Sequence, residues 1–588
     1  MSNIKRQLQS LQGAVTVAAL VIPAAFVGFL ILKYSVNLPQ WDEWAGVTFL
    51  YKLNEGTLSF SDLFRQQNEY RQFFPNLVFV FLGRLTKFDV RYHMGASLLL
   101  ACLVSFNVYR LGKLTLDRES DRLWAYLAAN VLIFSPVQHE NWLQGQQLIY
   151  FFPIACLSTC LVIATAPRLR FATKCIACAA LSIISTFSSV NGILCWLLVL
   201  PVLLTWSSAK PRSKRAFAVG WLVAVGLSAI LYMYGYVQPV HPASPAYGFA
   251  PTQAAFYFFS LVGRPLTLGR FVVTPVIGLG ILVMFIWACR QFWRSLNSSI
   301  DSQRRLVWLV IGAYALLTAV LITLGRSSFG VVQSLSSRYT TFTIYLPVAL
   351  VYLFTLEIRK RTGERGFIWN TVSRRVPIVA IAIILTQVPL YILALRSASE
   401  ARRIQLQVKT CVLLTNVIDD RCLTDQGYPT PDVFRQLANQ AENLGLLRPP
   451  LITQRNARAL APWDFAVSHT DNSFVEVSQT ADHQYLASGR AVVPGTGLPP
   501  DAVLLAYDDG KGEDTIFAVA FPKTRVPLRS GLLGKGVDLS WRGGFDERKL
   551  PAGRLRITAW GFDAETLKAY RLIGEHMIEN ADSLELRR

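Results

Sequence analysis

Apolar runs of roughly membrane-spanning length alternate with short polar gaps along this chain, and the alternation stops near residue 397. A helix needs about 20 residues to cross a bilayer. By that measure the runs predict about eleven spans, at 14–34, 92–111, 122–137, 147–165, 175–190, 193–206, 216–236, 272–289, 306–324, 341–357 and 376–396. Alternate gaps are basic: Arg110, Lys113, Arg118 and Arg122; Arg168, Arg170 and Lys174; Lys210, Arg212, Lys214 and Arg215; Arg290, Arg294, Arg304 and Arg305; then Arg359, Lys360, Arg361, Arg365, Arg374 and Arg375. Positive residues mark cytoplasmic loops, so these gaps are expected inside the cell with the N-terminus at Lys5 and Arg6, and the C-terminal region outside. The first span is too long and too poorly cleavable to be a removed signal peptide. Two further apolar stretches, 73–87 and 254–262, are short and are expected to lie along the outer leaflet as interfacial helices.

Beyond residue 397 the periodicity changes. Helical patterning at 397–413 and from Pro431 to Leu446 leads to Pro449-Pro450, which breaks it. From about residue 468, short β-rich runs follow, among them 474–477, 502–507, 515–521, 554–560 and 567–572. Asp508-Asp509-Gly510-Lys511-Gly512 joins two of them as a hairpin. Three parts are predicted: a membrane domain over 1–396 with a long first external loop at 35–91, a helical connector over 397–467, and an extracytoplasmic β-sandwich over 468–588. Trp541 and Trp560 are expected in the sandwich core; sugar-stacking platforms are the alternative.

Composition agrees with this architecture. The chain has 588 residues, 52% of them hydrophobic and 16% charged, and a mean hydropathy of +0.35. It is read as an α-helical polytopic membrane protein. A net charge of +21 would suit a nucleic-acid binder, but the basic residues sit between spans, so no nucleic-acid partner is expected. Seven of the nine cysteines (Cys102, Cys156, Cys160, Cys175, Cys178, Cys195 and Cys289) fall in spans, where the side chain acts as a small apolar group. Cys411 and Cys422 lie beyond the last span, where an oxidising compartment permits a disulfide between them; two reduced thiols in a helix pair are the alternative.

Residues with chemistry to offer gather in the gaps expected outside. Trp41-Asp42-Glu43-Trp44 follows directly on the first span and opens the loop 35–91, which also carries Gln67-Asn68-Glu69-Tyr70-Arg71. A second gap holds Gln138-His139-Glu140-Asn141-Trp142 and Gln144-Gly145-Gln146-Gln147. Later ones hold Arg264 and Arg270, then Arg326 and Ser336-Ser337-Arg338-Tyr339. Ionisable groups beside a bilayer are costly unless they face water or a cavity, which sets a functional reading of the two acids against that of a solvated loop. His139 has no paired His or Cys at ligand spacing and is read as a solvated residue, with no metal assigned to it. The arginines have a plain alternative as snorkelling anchors at span ends.

This arrangement resembles the GT-C superfamily of polytopic membrane glycosyltransferases, which includes protein O-mannosyltransferases and the lipid A aminoarabinose transferase. The resemblance covers roughly the first 400 residues and rests on topology plus short motifs. In that family a long first external loop begins with an acidic motif, here Trp41-Asp42-Glu43-Trp44, and runs through juxtamembrane helices, here 73–87, into the second span. Glu140 stands where many members carry a second acid. Arg338 and Tyr339 stand in a late external loop, where members contact the phosphate of a lipid donor. The resemblance implies a polyprenyl-phosphate-linked sugar donor and a glycan, lipid or protein acceptor. It also implies a multi-pass location in the bacterial inner membrane with a periplasmic C-terminal domain.

The chemistry makes matching demands. A sugar on a polyprenyl phosphate already carries a good leaving group, so the difficult step is making an acceptor hydroxyl nucleophilic, which calls for a carboxylate base. Charge building on the departing phosphate calls for a cation, and a guanidinium meets it with a bidentate fork. Asp42 is the expected base, with Glu43 either its support or the base itself, and the displacement inverts the anomeric centre. Arg338 is expected to hold the phosphate, and Glu69, Arg71, Glu140, Arg264, Arg326 and Tyr339 to contact substrates. No cofactor is required, although Asp42, Glu69 and Glu140 offer oxygen ligands of the kind a divalent cation takes.

Two rival classes remain. A transporter or flippase for a lipid-linked glycan would place its sites near the bilayer midplane on broken, repeated helices, and neither a repeat nor charged spans are evident. An O-antigen ligase or polymerase would use external arginines without an acidic pair after the first span. The sugar, the polyprenol and the acceptor depend on pocket shape and not on motifs.

Overall fold

The computed structural model of the chain describes residues 2–207, 210–238, 250–267, 269, 271–296, 298–364, 375–428, 430–461, 472–508, 510, 512–523 and 538–580. They form two compact units, one of Met1–Ser35 with Pro39–Ser399 and one of Val36–Leu38 with Glu400–Arg588. Arg270, Arg365 and Arg374 lie outside the described residues.

The first unit is helical. Its helices are α1 (Ser2–Tyr34), α2 (Ala45–Asn54), α3 (Phe73–Thr86), α4 (Arg91–Thr115), α5 (Glu119–Ile133), α6 (Leu148–Thr165), α7 (Phe171–Thr186), α8 (Leu194–Thr205), α9 (Pro211–Met233), α10 (Pro251–Gly263), α11 (Val273–Arg294), α12 (Ser299–Arg326), α13 (Tyr345–Glu364) and α14 (Arg375–Leu413). Each expected span overlaps one of them, although 122–137 runs past the end of α5 at Ile133, and α5 has only 15 residues. Among the described residues, seven stretches are long and apolar enough to cross a membrane: Arg91–Thr115, Gly145–Thr165, Pro211–Met233, Val273–Arg294, Ile300–Phe329, Ser337–Arg359 and Val376–Leu413. The segments Val21–Tyr34, Phe171–Thr186 and Val190–Thr205 are apolar but shorter. The two stretches expected along the outer leaflet are α3 and α10, at 14 and 13 residues, below the ~20 that a span needs.

Ion pairs tie the helices together at the ends flanked by basic gaps. Arg304 bonds Asp117 at 2.8 Å, Arg305 bonds Glu357 at 2.9 Å, and Arg359 bonds Asp121. One turn along, Trp308 stacks on Tyr352 with ring centroids 3.7 Å apart and donates through Nε1 to Thr115 Oγ1 at 3.0 Å. These contacts pack α12 against α13 and the end of α4.

The second unit takes up the last turns of α14, the helix α15 (Pro431–Asn443) and an antiparallel sheet. Cys411 and Cys422 are joined as a disulfide, with Cα atoms 5.5 Å apart. The sheet runs in the order β10 (His576–Asn580), β8 (Gly553–Asp563), β5 (Ala502–Asp508), β6 (Thr515–Pro522), β7 (Ser540–Asp546), β4 (Gln484–Arg490), β3 (Ser473–Ala481), with β9 (Lys568–Arg571) also on β8. Only Phe521↔Arg542 and Pro522↔Trp541 register β6 with β7. The two layers expected of a sandwich are therefore joined along that edge into one curled sheet.

Strand alternation sends Val503, Leu505, Ile557 and Ala559 into one core with Trp541, and Leu504, Ala506 and Phe562 into a second with Trp560 and the connector's Leu413, Leu414 and Ile452. Both tryptophans are buried. The expected hairpin turn is closed by Asp508, whose Oδ1 accepts from the Gly510 and Gly512 N–H groups at 2.8 and 3.2 Å; Asp509 and Lys511 lie outside the described residues.

Candidate active site

Trp41–Trp44 folds as a single tight helical turn leading into α2. Glu43 builds it. One carboxylate oxygen accepts from the Gln40 N–H at 2.7 Å and the other from the Gln146 N–H at 2.6 Å, and the Gly145 backbone bonds it as well. Gly145 leaves no room for a side chain, since a Cβ there would lie 2.7 Å from the His93 Cβ and 2.8 Å from Glu43 Oε1. Glu43 is 4% exposed. Burial pushes its carboxyl up from 4.5 to about 7, with the backbone bonds opposing and Asp42 adding to the rise. A carboxyl this enclosed and this fully bonded ties the loop 35–91 to the turn Gly145–Gln147.

Asp42 turns the other way and is exposed. Its Oδ2 accepts from Asn68 Nδ2 at 2.9 Å, and Gln67 Nε2 donates to its backbone carbonyl at 3.2 Å. Crowding by the surrounding protein raises its carboxyl above the ordinary aspartate value; Glu69 adds to the rise, while Asn68, Arg326 and Arg338 oppose it.

The side chain that holds Asp42 comes from a hairpin of β1 (Gln66–Gln67) and β2 (Tyr70–Arg71). Asn68 sits at its tip with φ of 51°, a left-handed conformation that asparagine tolerates better than most residues. Glu69, beside it, bonds Arg326 at 2.7 Å. Arg71, expected at the substrate, is placed elsewhere. It is 5% exposed, donates to the carbonyls of Tyr232 at 2.7 Å, Phe64 at 3.2 Å and Tyr234, and lies over the Phe64 ring. It fastens the hairpin to the end of α9.

The late loop is held in a comparable way. Glu140 Oε1 accepts from the Ser337 N–H at 3.1 Å and the Ser337 hydroxyl at 2.9 Å, and Oε2 from the Ser336 hydroxyl at 3.1 Å. It thereby caps the turn Ser337–Tyr339. Arg264 donates to the carbonyls of Leu335 at 2.8 Å and Thr267 at 3.1 Å, and Asn141 Nδ2 to that of Arg338 at 2.7 Å. Glu140 and Arg264, expected at the substrate, thus shape the loop that presents Arg338. Arg338 is half-buried over the Tyr339 ring at 5.3 Å, and its Nε is buried with no hydrogen-bond partner among the described residues. His139 departs from the solvated residue expected: its Nδ1 is buried with no partner among the described residues, and burial, with Arg264 adding, holds its imidazole below the usual range against Glu140 and the Val137 backbone.

Glu69, Arg326 and Tyr339 line a cavity of about 370 Å³, with Tyr70, Ser189 and Asn191 among its other walls. Asp42 does not line it. Asp42 borders a separate hollow of about 10 Å³ with Glu43, Asn76 and Gln146. Among the described residues no group of three or more His, Cys, Asp and Glu is placed to hold a metal ion, so Asp42, Glu69 and Glu140 do not converge as a donor set. The structure adds Asn68 and the Gly145 and Gln146 backbone, visible in the sequence only as members of polar runs, and Ser189 and Asn191. The polar run Ser188-Ser189-Val190-Asn191-Gly192 between two short apolar segments was the visible signal for the last pair.

No protein-family model and no curated protein sequence matches the chain. Among solved structures it is similar to the crystal structure of ArnT from Cupriavidus metallidurans bound to undecaprenyl phosphate, at 15% identity over 73% of this chain and 76% of that one, with a TM-score of 0.34.

Proposed function

We propose that this chain is a GT-C-type membrane glycosyltransferase that moves a sugar from a polyprenyl-phosphate donor to the hydroxyl of a glycan, lipid or protein acceptor. The observation that carries the reading is the contrast between two neighbouring acids. Glu43 is enclosed and bonded on both oxygens, whereas Asp42 is exposed and accepts from Asn68 on one oxygen. Asp42 therefore retains lone pairs for an incoming proton, which a general base requires. Arg338 supports the other half of the reaction, because a half-buried guanidinium whose Nε has no partner among the described residues is primed for an anion.

In this mechanism Asp42 takes the proton from the acceptor hydroxyl as its oxygen attacks the anomeric carbon. The carbon–oxygen bond to the phosphate breaks on the opposite face, the configuration inverts, and Arg338 with Arg326 stabilises the phosphate as it departs with the electron pair. Glu69 holds Arg326, and Glu140 holds the loop of Arg338.

The test is a turnover assay on purified protein in lipid nanodiscs, supplied with polyprenyl-phosphate monosaccharides and reading release of polyprenyl phosphate. Asp42→Asn is expected to lower turnover by about 10²–10⁴-fold, the range of general-base catalysis, with donor affinity retained. Normal turnover in Asp42→Asn alongside an inactive but folded Glu43→Gln would move the role to the neighbour. Normal turnover in both would remove the transferase reading.

A further inference from the structure

The cavity beside Arg326 has a polar wall that the proposed mechanism does not use. It is formed by the turn between α7 and α8. α7 has 16 residues and α8 has 12, so at 1.5 Å per residue they rise about 24 and 18 Å, less than the ~30 Å hydrocarbon thickness of a bilayer. Basic residues flank the far end of each, Arg168 and Arg170 before α7 and Lys210 and Arg212 after α8. With those basic ends at a membrane surface, helices of this length would bring the turn Phe187–Ile193 to rest within the depth of the membrane. Irregular backbone is tolerated at that depth only where protein buries it or it lines a cavity.

The turn is tightly constructed. Ser185 Oγ donates to the Gly192 carbonyl at 2.9 Å, Trp196 Nε1 donates to Thr186 Oγ1 at 3.1 Å, and a Cβ on Gly192 would lie 1.7 Å from the Ser185 carbonyl oxygen. Two of its side chains are left over. Ser189 is 1% exposed and Asn191 is 3% exposed, and both line the cavity. Ser189 Oγ and Asn191 Oδ1 have no hydrogen-bond partner among the described residues. Asn191 Nδ2 donates to Tyr314 Oη at 2.8 Å and to Thr318 Oγ1 at 3.4 Å, so whichever way the amide is turned, one end stays unbonded. A buried polar group without a partner is costly, and a chain keeps such groups where a ligand or ordered water completes them.

We infer that Ser189 and Asn191 read the hydroxyl groups of the sugar carried by the lipid donor, and so select which sugar is transferred. The inference rests on the proposed function. In that reading the phosphate lies at Arg338 and Arg326, and Arg326 shares the cavity with both residues. That phosphate carries two groups, the sugar and the lipid tail, and the polar atoms choose between them. An apolar lipid tail would leave both polar atoms unsatisfied, whereas exposed apolar side chains on α12 that do not line the cavity, Leu317 and Val320, offer the tail a surface outside.

Binding without acceptor tests this, using two kinds of probe: bare polyprenyl phosphate, and polyprenyl phosphates bearing glucose, mannose, galactose or arabinose. Ser189→Ala and Asn191→Leu are each expected to weaken the preferred sugar-bearing lipid by roughly 3- to 10-fold, the size of one hydrogen bond, and to leave the bare lipid at parental affinity. Ser189→Ala removes a hydroxyl that no described residue bonds, so it decides the matter if Asn191→Leu lowers the melting temperature. Parental affinity for every sugar-bearing lipid, or an equal loss for bare and sugar-bearing lipid, would overturn the inference while leaving the transferase reading in place. Failure of the parent protein to bind polyprenyl phosphate at all would remove both, and is a distinct result.

Discussion

At one end of α12, Arg304 and Arg305 each meet an acid, and Arg359 of α13 meets Asp121 close by. At the other end, Arg326 meets Glu69 on the wall of a cavity, and Arg338 follows with an unbonded Nε. The residue types are the same at both ends. What differs is whether the protein itself completes them. Arg305 and Glu357 are 3% and 7% exposed and bonded to one another, an arrangement that closes a helix interface and leaves nothing for a ligand. The second end keeps an acceptor at Asp42 and a donor at Arg338 incompletely engaged, which is the condition for binding something else.

The largest expected effect belongs to the closed end. Arg305→Ala removes the guanidinium from a buried ion pair and should cost about 3–5 kcal/mol of stability, measured as a fall in melting temperature in detergent. The double variant Arg305→Met, Glu357→Leu should recover most of it. A single variant that melts with the parent would show that this pair contributes no structural contact.

Glu43 lies at the open end yet behaves like the closed one, and pH separates the two. Its folded pKa of about 7 lies above the ordinary 4.5. Between those values the unfolded chain releases a proton that the folded chain retains, so stability should fall as pH rises from about 4.5 to 7, by at most ~3 kcal/mol. Glu43→Gln should flatten that slope. An unchanged slope in melting temperature against pH would place the dependence elsewhere.

Arg338→Ala sharpens the contrast from the other side. It should lower turnover and donor affinity by about 10- to 150-fold, the range of a charge-assisted hydrogen bond, with little change in melting temperature. Arg338→Lys should regain more of the binding than of the rate, because an ammonium cannot reproduce the fork on a leaving phosphate. Parental turnover in both variants would make Arg338 an anchor. The smallest effect is expected at Arg304→Ala: Asp117 is 75% exposed, and a solvated pair of that kind contributes about 0–1 kcal/mol.

Much of the fold was legible in the chain because membrane helices are specified locally. The apolar runs located all eleven helices that carry the expected spans, and strand alternation located the β-rich second unit. The acidic motif was legible as a motif, but not the division of labour within it. Asp42 and Glu43 are adjacent in one helical turn and so point in different directions, and which of them is enclosed depends on Gly145 and Gln146, about a hundred residues later. Arg71 and Arg338 posed the same difficulty. Both are arginines in gaps expected outside, yet Arg71 meets three backbone carbonyls, two of them at the end of α9, and the Arg338 guanidinium keeps its Nε unbonded.

The sequence by itself determined the run of apolar helices, the change of architecture beyond residue 397 and the gathering of acids and arginines in one set of gaps. Each follows from local rules, the length that crosses a bilayer and the alternation that builds a sheet. Tertiary structure alone decided that Glu43, Arg71, Glu140 and Arg264 are bonded to the protein's own backbone, and that Ser189 and Asn191 line the same cavity as Arg326. The reason is physical: a polar group is available to a ligand only when no distant segment of the chain has already bonded it, and spacing along the sequence does not record those long-range encounters.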